Sequence, residues 1–250
     1  MLRFGYIGIL LTALTTGLFA ADTEVRTPDS FGQVIVVTTK DWDTVDGWMQ
    51  RFEGGQAVGP RIRIALGRNG LGWGRGLHPA QKDGPQKKEG DGKSPAGVFS
   101  LTQAFGYATP EEMKSVKLPY VQCSTMVECV DDVKSTHYNT ILARTNVAKP
   151  DWHSSEIMLM KDNEYSMGIV IDHNTPSAKP GGGSCVFMHI WKGPGVGTSG
   201  CTAMTPENMD TVIHWLDPKA HPILVQLPEK EYEKLKDDWG LPDLPTYDTK

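Results

Sequence analysis

Gly183 to Leu216 reads GSCVFMHIWKGPGVGTSGCTAMTPENMDTVIHWL, and this stretch decides the fold class. Ser184 to Trp191 has the apolar, β-rich character of a strand. A glycine-rich turn follows, from Gly193 to Gly200. Thr205 then stands where a helix cap belongs, with Pro206 at the first turn. Met209, Val212, Ile213 and Leu216 recur at i, i+3, i+4 and i+7, which predicts a helix over 206–216 with a single core-facing stripe. A strand, a glycine turn and one short capped helix point to a mainly β protein.

The rest of the chain agrees. Gln33–Thr39 (QVIVVTT) is a β-branched run and predicts a strand. Arg61–Leu66 alternates charged and apolar residues, as a half-buried strand does, and Pro222–Leu227 is another short strand. Asp43–Phe52 is read as a short helix, because Trp48 and Phe52 are four apart. Gly67–Gly76 lacks the Lys-Ser/Thr of a phosphate cradle, and Pro79 blocks an immediate helix, so it is read as turn or loop. The 27 Gly and 17 Pro suit a loop-rich β protein better than a helical bundle. No internal repeat stands out.

Domain boundaries follow from the composition along the chain. Arg3, the uncharged apolar run Tyr6–Phe19 and the small Ala20-Ala21 have the layout of a secretory signal peptide over 1–21. That run is short for a membrane span, and no stable span is expected after cleavage; an uncleaved anchor is the alternative. Residues 22–30 are polar and read as flexible. Residues 31–228 form one domain. The charged tail 229–250 contains a candidate helix at Lys230–Trp239 and reads as an appendage. The expected location is outside the cytoplasm, in the periplasm or cell envelope, where disulfides are permitted. A formal charge of −5 argues against a nucleic-acid partner. Oligomeric state is left open.

The chemistry is expected at His189 and Cys201. A thiol is a poor nucleophile until it ionises, and a nearby imidazole can take its proton. A helix N-terminus favours the thiolate, and helix 206–216 starts just after Cys201. Gly200 lets main-chain N–H groups near Cys201 converge on one point, as an oxyanion requires. The order His then Cys differs from papain-like and NlpC-type peptidases. Sortases need an Arg after the Cys, and this chain has none beyond Arg144.

Gly183–Met204 resembles the active-site stretch of the YkuD-type L,D-transpeptidase catalytic domain. Glu89–Phe99 (EGDGKSPAGVF) is similar to that family's early glycine-proline element. Cys129–Asn139 (CVDDVKSTHYN) and Val170–Asn174 (VIDHN) look like one branch of it. The resemblance runs from Gln33 to Leu227. It implies a β-sandwich with a short helix after the Cys, Cys201 as nucleophile and His189 as general base and later acid. It implies acyl transfer on peptidoglycan stem peptides through a thioester, with no cofactor and no metal. Water as acceptor would make the protein an L,D-carboxypeptidase; a non-catalytic envelope-binding module is the third reading. The commonest family pattern has a His before the Gly and an Arg shortly after the Cys. Here those places hold Ser199 and Thr202-Ala203. Those missing side chains are candidates for holding a substrate carboxylate, so the hydroxyls of Thr198 and Ser199 are expected to position substrate beside Gly200.

Other residues carry weaker expectations. Cys123 and Cys129 either pair in a small loop or stay reduced. Cys185 shares a strand face with His189 and reads as a small core residue. A zinc site from Cys185, His189 and Cys201 lacks the usual ligand spacing. His173 and Trp191 are candidates for the substrate cleft. Arg61, Arg63, Arg68, Arg75, Lys82, Lys87, Lys88 and Lys93 form a basic window, read either as a solvated face or as an attraction for anionic stem peptides.

Overall fold

The run Gln33–Thr39 forms β1, and every one of its residues is buried. It is central because both its edges are paired. Strand β2 (Asp46–Glu53) lies antiparallel on one side, with Val34 opposite Phe52. A parallel partner near the C-terminus lies on the other, with Val34 opposite Ile223. A strand covered on both faces needs an unbroken apolar run, not an alternating one. The computed structural model describes residues 32–246. The expected signal peptide and flexible segment, 1–21 and 22–30, lie outside the described residues.

The remaining strands follow in chain order: β3 (Gln56–Ala65), β4 (Leu71–Trp73), β5 (Ser94–Gly106), β6 (Tyr120–Gln122), β7 (Val127–Val130), β8 (Thr140–Ala143) and β9 (Ser155–Ile157). Then come β10 (Met167–Ile171), β11 (Phe187–Ile190), β12 (Thr202–Met204) and β13 (Ile223–Pro228). The large sheet runs β10-β11-β12-β3-β2-β1-β13-β5-β4. Its two sides meet through the long β5. Val98 and Phe99 pair with β13, whereas Leu101 and Phe105 pair with β10. The sheet therefore folds over on itself in the β-sandwich manner expected, and its apolar side chains fill the interior. A second sheet, β8-β7-β9, stands apart.

Helix α1 (Pro206–Trp215) forms as its caps dictate. Asn208 N–H donates to Thr205 Oγ1, and Met209, Val212 and Ile213 are buried. It packs against β10 and β11, the strand that carries His189.

Two expectations about local structure are corrected. The segment containing Trp48 and Phe52 is strand β2, not a helix. A spacing of four puts residues on one face in either periodicity, so it could not discriminate; pairing with β1 did. The tail is not an appendage along its whole length. Helix α2 (Glu229–Trp239) packs on β13 and β1. Its Tyr232, Leu235 and Trp239 join the main apolar core, with Leu241 beyond them. Its charged residues had suggested a solvated tail, but Tyr232, Leu235 and Trp239 recur at helical spacing and form a buried stripe.

Candidate active site

Cys201 and His189 line one pocket of about 550 Å³, a volume suited to a peptide fragment. The parallel pairing of β11 with β12 brings the two regions together, with Met188 opposite Thr202 and His189 opposite Ala203. Gly200 precedes the cysteine at φ +151, and a Cβ there would lie 3.0 Å from the Lys93 carbonyl oxygen. Glycine is therefore required for the chain to pass this point.

The loop before Cys201 is held by hydroxyls. Thr198 Oγ1 donates to the Cys201 carbonyl at 2.7 Å and accepts from Gly200 N–H at 3.1 Å. The buried Ser94 donates to the same Cys201 carbonyl at 2.9 Å and accepts from Gly67 N–H at 2.8 Å. Thr198 is thus committed to the turn. Gly200 N–H already has an acceptor within the turn.

The thiol rests in its protonated form. Cys201 Sγ donates to the Cys185 carbonyl at 3.8 Å and accepts from Phe187 N–H at 3.4 Å. Burial pushes it up to about 12, with Glu156 adding in the same direction. Phe187 N–H, Tyr165 and Lys87 oppose this without prevailing. The expectation that a helix N-terminus would acidify this thiol is corrected. Strand β12 separates Cys201 from α1, and three extended residues span about 10 Å, beyond the reach of the dipole of a first turn.

Burial also lowers His189 to about 4. Its Nδ1 lies 2.7 Å from the Ile190 carbonyl. That bond fixes the tautomer, because a carbonyl takes only the protonated nitrogen, and leaves Nε2 as the basic lone pair. The resting pair is therefore a neutral thiol and a neutral imidazole.

Sequence reasoning missed Tyr165 and Glu156. The Tyr165 ring packs against the His189 ring with centroids 5.2 Å apart. Its hydroxyl donates to Glu156 Oε1 at 2.7 Å and also serves as a hydrogen-bond partner of Cys201. Glu156 comes from the small sheet and Tyr165 from the loop before β10, so no local spacing joins them to the cysteine.

The family-like segments are the frame of this site. Asp91 accepts from Lys87 Nζ and from the N–H groups of Lys88 and Lys93, which shapes the turn ahead of Ser94. Glu89 accepts from Ser184 Oγ at 2.8 Å and from the Tyr138 hydroxyl. Asn139 bonds the His173 carbonyl through Nδ2 and receives Cys185 N–H on Oδ1. Asn174 ties the Lys179 and Gly183 carbonyls. Together they set the main chain of Cys185, whose carbonyl accepts the hydrogen bond of the Cys201 thiol.

The cysteine expectations divide. Cys129 pairs with Cys185, and Cys123 is free and buried. The Cys123–Cys129 alternative is thereby corrected, as is the reading of Cys185 as a plain core residue. Cys185 has φ +52 and lies ahead of β11, so it does not share a strand face with His189. Locked in a disulfide, it cannot serve as a thiolate ligand, and the Cys185-His189-Cys201 zinc set falls away.

Ser199 lines the pocket and accepts from Arg68 Nη1 at 3.3 Å. His173 and Trp191 are not among the pocket-lining residues. His173 is buried; its Nδ1 accepts from Arg75 N–H and its Nε2 faces the Gly182 carbonyl at 2.9 Å. It braces a loop behind the site. Burial lowers it to about 4. A histidine held neutral in the fold stabilises it above its unfolded pKa of about 6.5 and loses that contribution as pH falls through the folded value. We expect up to about 3 kcal/mol from His173, and as much again from the similarly lowered His189, to disappear between pH 6.5 and 4. Urea unfolding midpoints across that range measure it, and a flat profile would contradict it.

Among curated proteins and solved structures no match is found. A family model does match: that of the L,D-transpeptidase catalytic domain, over residues 34–225. That span covers most of the chain, reaches from β1 into β13, and contains the paired strands β11 and β12 with His189 and Cys201. On this match the chain belongs to the YkuD family of L,D-transpeptidase catalytic domains.

Proposed function

We propose that this protein is an exported cysteine acyltransferase that rebuilds peptidoglycan stem peptides through a thioester on Cys201. The observation that carries the reading is the shared pocket of Cys201 and His189, with Nδ1 of the imidazole fixed on the Ile190 carbonyl. His189 Nε2 takes the thiol proton as Sγ attacks the carbonyl of the third stem residue. The oxyanion forms against the Cys201 N–H. The bond to the terminal D-alanine breaks, and its amine leaves with the proton from His189. An amine of a second stem then attacks the thioester; His189 takes its proton and returns one to Sγ, and a cross-link results.

Because the resting pair is neutral, proton transfer accompanies attack instead of preceding it. The rotation that frees the thiol from the Cys185 carbonyl belongs to the same step. Tyr165 steadies both partners, bonded on its far side to Glu156. Among the described residues no helix is long and apolar enough to cross a membrane.

Defined tetrapeptide muropeptides followed by mass spectrometry test the proposal. Cross-linked dimer with free D-alanine is the expected result. Tripeptide and D-alanine without dimer would make water the acceptor and the protein a carboxypeptidase. No product at all, with the protein still sedimenting on isolated sacculi, would overturn the enzyme reading.

A further inference from the structure

Arg68 is the one pocket-lining cation that has no carboxylate partner among the described residues. Lys87 is paired with Asp91 at 2.6 Å and Lys192 with Glu164 at 2.9 Å. Arg68 instead donates from Nη1 to Ser199 Oγ.

Its position is built. Arg68 N–H donates to the Thr198 carbonyl, and Thr198 N–H donates to the Leu66 carbonyl, each at 2.8 Å. These bonds join the β3–β4 turn to the loop that carries Cys201. A Cβ at Gly197 would meet Arg68 Cα at 2.6 Å, so the two main chains touch. A Cβ at Gly92 would come within 3.1 Å of Arg68 Cζ and Nε, so glycine leaves room for the guanidinium. Ser199 occupies one nitrogen and leaves the others to donate, the arrangement that binds a carboxylate in a fork.

The same pocket also carries the other sign. Glu89, Asp131 and Glu156 line the same pocket, and none of them is in an ion pair among the described residues. A carboxylate entering the pocket is repelled by these acids and, among the described residues, meets a cation without a carboxylate partner at Arg68, beside Ser199. Two side chains that are candidates for this duty in the family pattern are absent here, where Ser199 and Thr202-Ala203 stand.

We propose that Arg68 binds a carboxylate of the acyl donor and so sets which end of the stem peptide lies over Cys201. The proposal rests on the stem-peptide reading above and names the residue that recognises the donor. Two carboxylates are sources of this chemistry: that on the side chain of the third residue, when it is a diamino diacid, and that of the terminal D-alanine.

Calorimetric titration of the full chain carrying Cys201→Ala tests it without turnover. Three tetrapeptides serve as probes: one with both carboxylates free, one amidated on the third side chain, one amidated at the C-terminus. We expect one of the two amides to bind about ten- to a hundredfold more weakly, the worth of a charge-assisted hydrogen bond. Adding Arg68→Gln removes that preference, and Arg68→Lys keeps part of it; circular dichroism checks that both fold. A preference that survives Arg68→Gln, equal binding of all three peptides by the Cys201→Ala parent, or no binding would overturn the proposal. Turnover separates the two readings. Product from wild type without charge preference sinks Arg68 alone, and preference without product sinks the transferase reading alone.

Discussion

Cys201→Ala is expected to yield a folded protein that forms no thioester and no product, and His189→Ala one that is slower by about a hundredfold or more. Removing the sulfur removes the atom that bonds to the acyl group. Removing the imidazole leaves a thiol held near 12 with no base to take its proton. The comparison is informative because the resting sulfur is not an anion. At neutral pH a thiol with pKa near 12 is ionised about a thousandfold less than a free cysteine. Iodoacetamide should therefore alkylate Cys201 far more slowly than a model thiol, even though acyl transfer proceeds. Incubation with a carbapenem, followed by intact mass, reads the catalytic side: one adduct on wild type, none on Cys201→Ala. Full activity in Cys201→Ala, or fast alkylation of the resting enzyme at pH 7, would contradict this account. His189 is protonated only below about 4, so the rate should be level across neutral pH and fall in acid as the base is lost.

Breaking the Cys129–Cys185 bridge by Cys129→Ser with Cys185→Ser is expected to cost about 4 kcal/mol of stability, given the chain it closes. The two half-cystines are 56 residues apart in sequence, and that loop contains β8, β9 and the end of β7. The unfolded chain gains that freedom when the bridge is lost. The native state has its own stake, since the bridge joins β7 to the residue whose carbonyl accepts the hydrogen bond of the Cys201 thiol. A drop on the order of 10 °C in thermal midpoint follows for a chain of this size. Denaturant titration of the double variant against wild type measures it. Unchanged stability would mean that the small sheet is docked by its other contacts alone. Reduction with dithiothreitol offers the same comparison on the unaltered sequence.

The helix α1 was legible because its signals are local. Cap, proline and apolar stripe all lie between Thr205 and Leu216. The His189 strand and the Cys201 turn were legible for the same reason, and because their segment resembles a family stretch. Strand β2 was not, since a four-residue spacing serves two periodicities. The tail helix was seen, but its burial was not, because its docking face exists only once β1 and β13 lie side by side. Tyr165, Glu156 and the Cys129–Cys185 pair were invisible for a related cause. Each depends on a contact between segments far apart along the chain, and spacing carries no record of such contacts.

By itself the sequence determined the chemistry on offer: a thiol, an imidazole, a glycine that lets the chain turn before the thiol, and a mainly β framework. Those follow from residue identity and short-range periodicity, which act within a few positions. Tertiary structure alone decided that the thiol rests protonated, that Cys185 is bridged to Cys129, and that Arg68 stands beside Ser199 with no carboxylate partner among the described residues. Burial, disulfide pairing and charge partnership are sums over neighbours in space, and those neighbours are assembled only when the sheet folds over on itself.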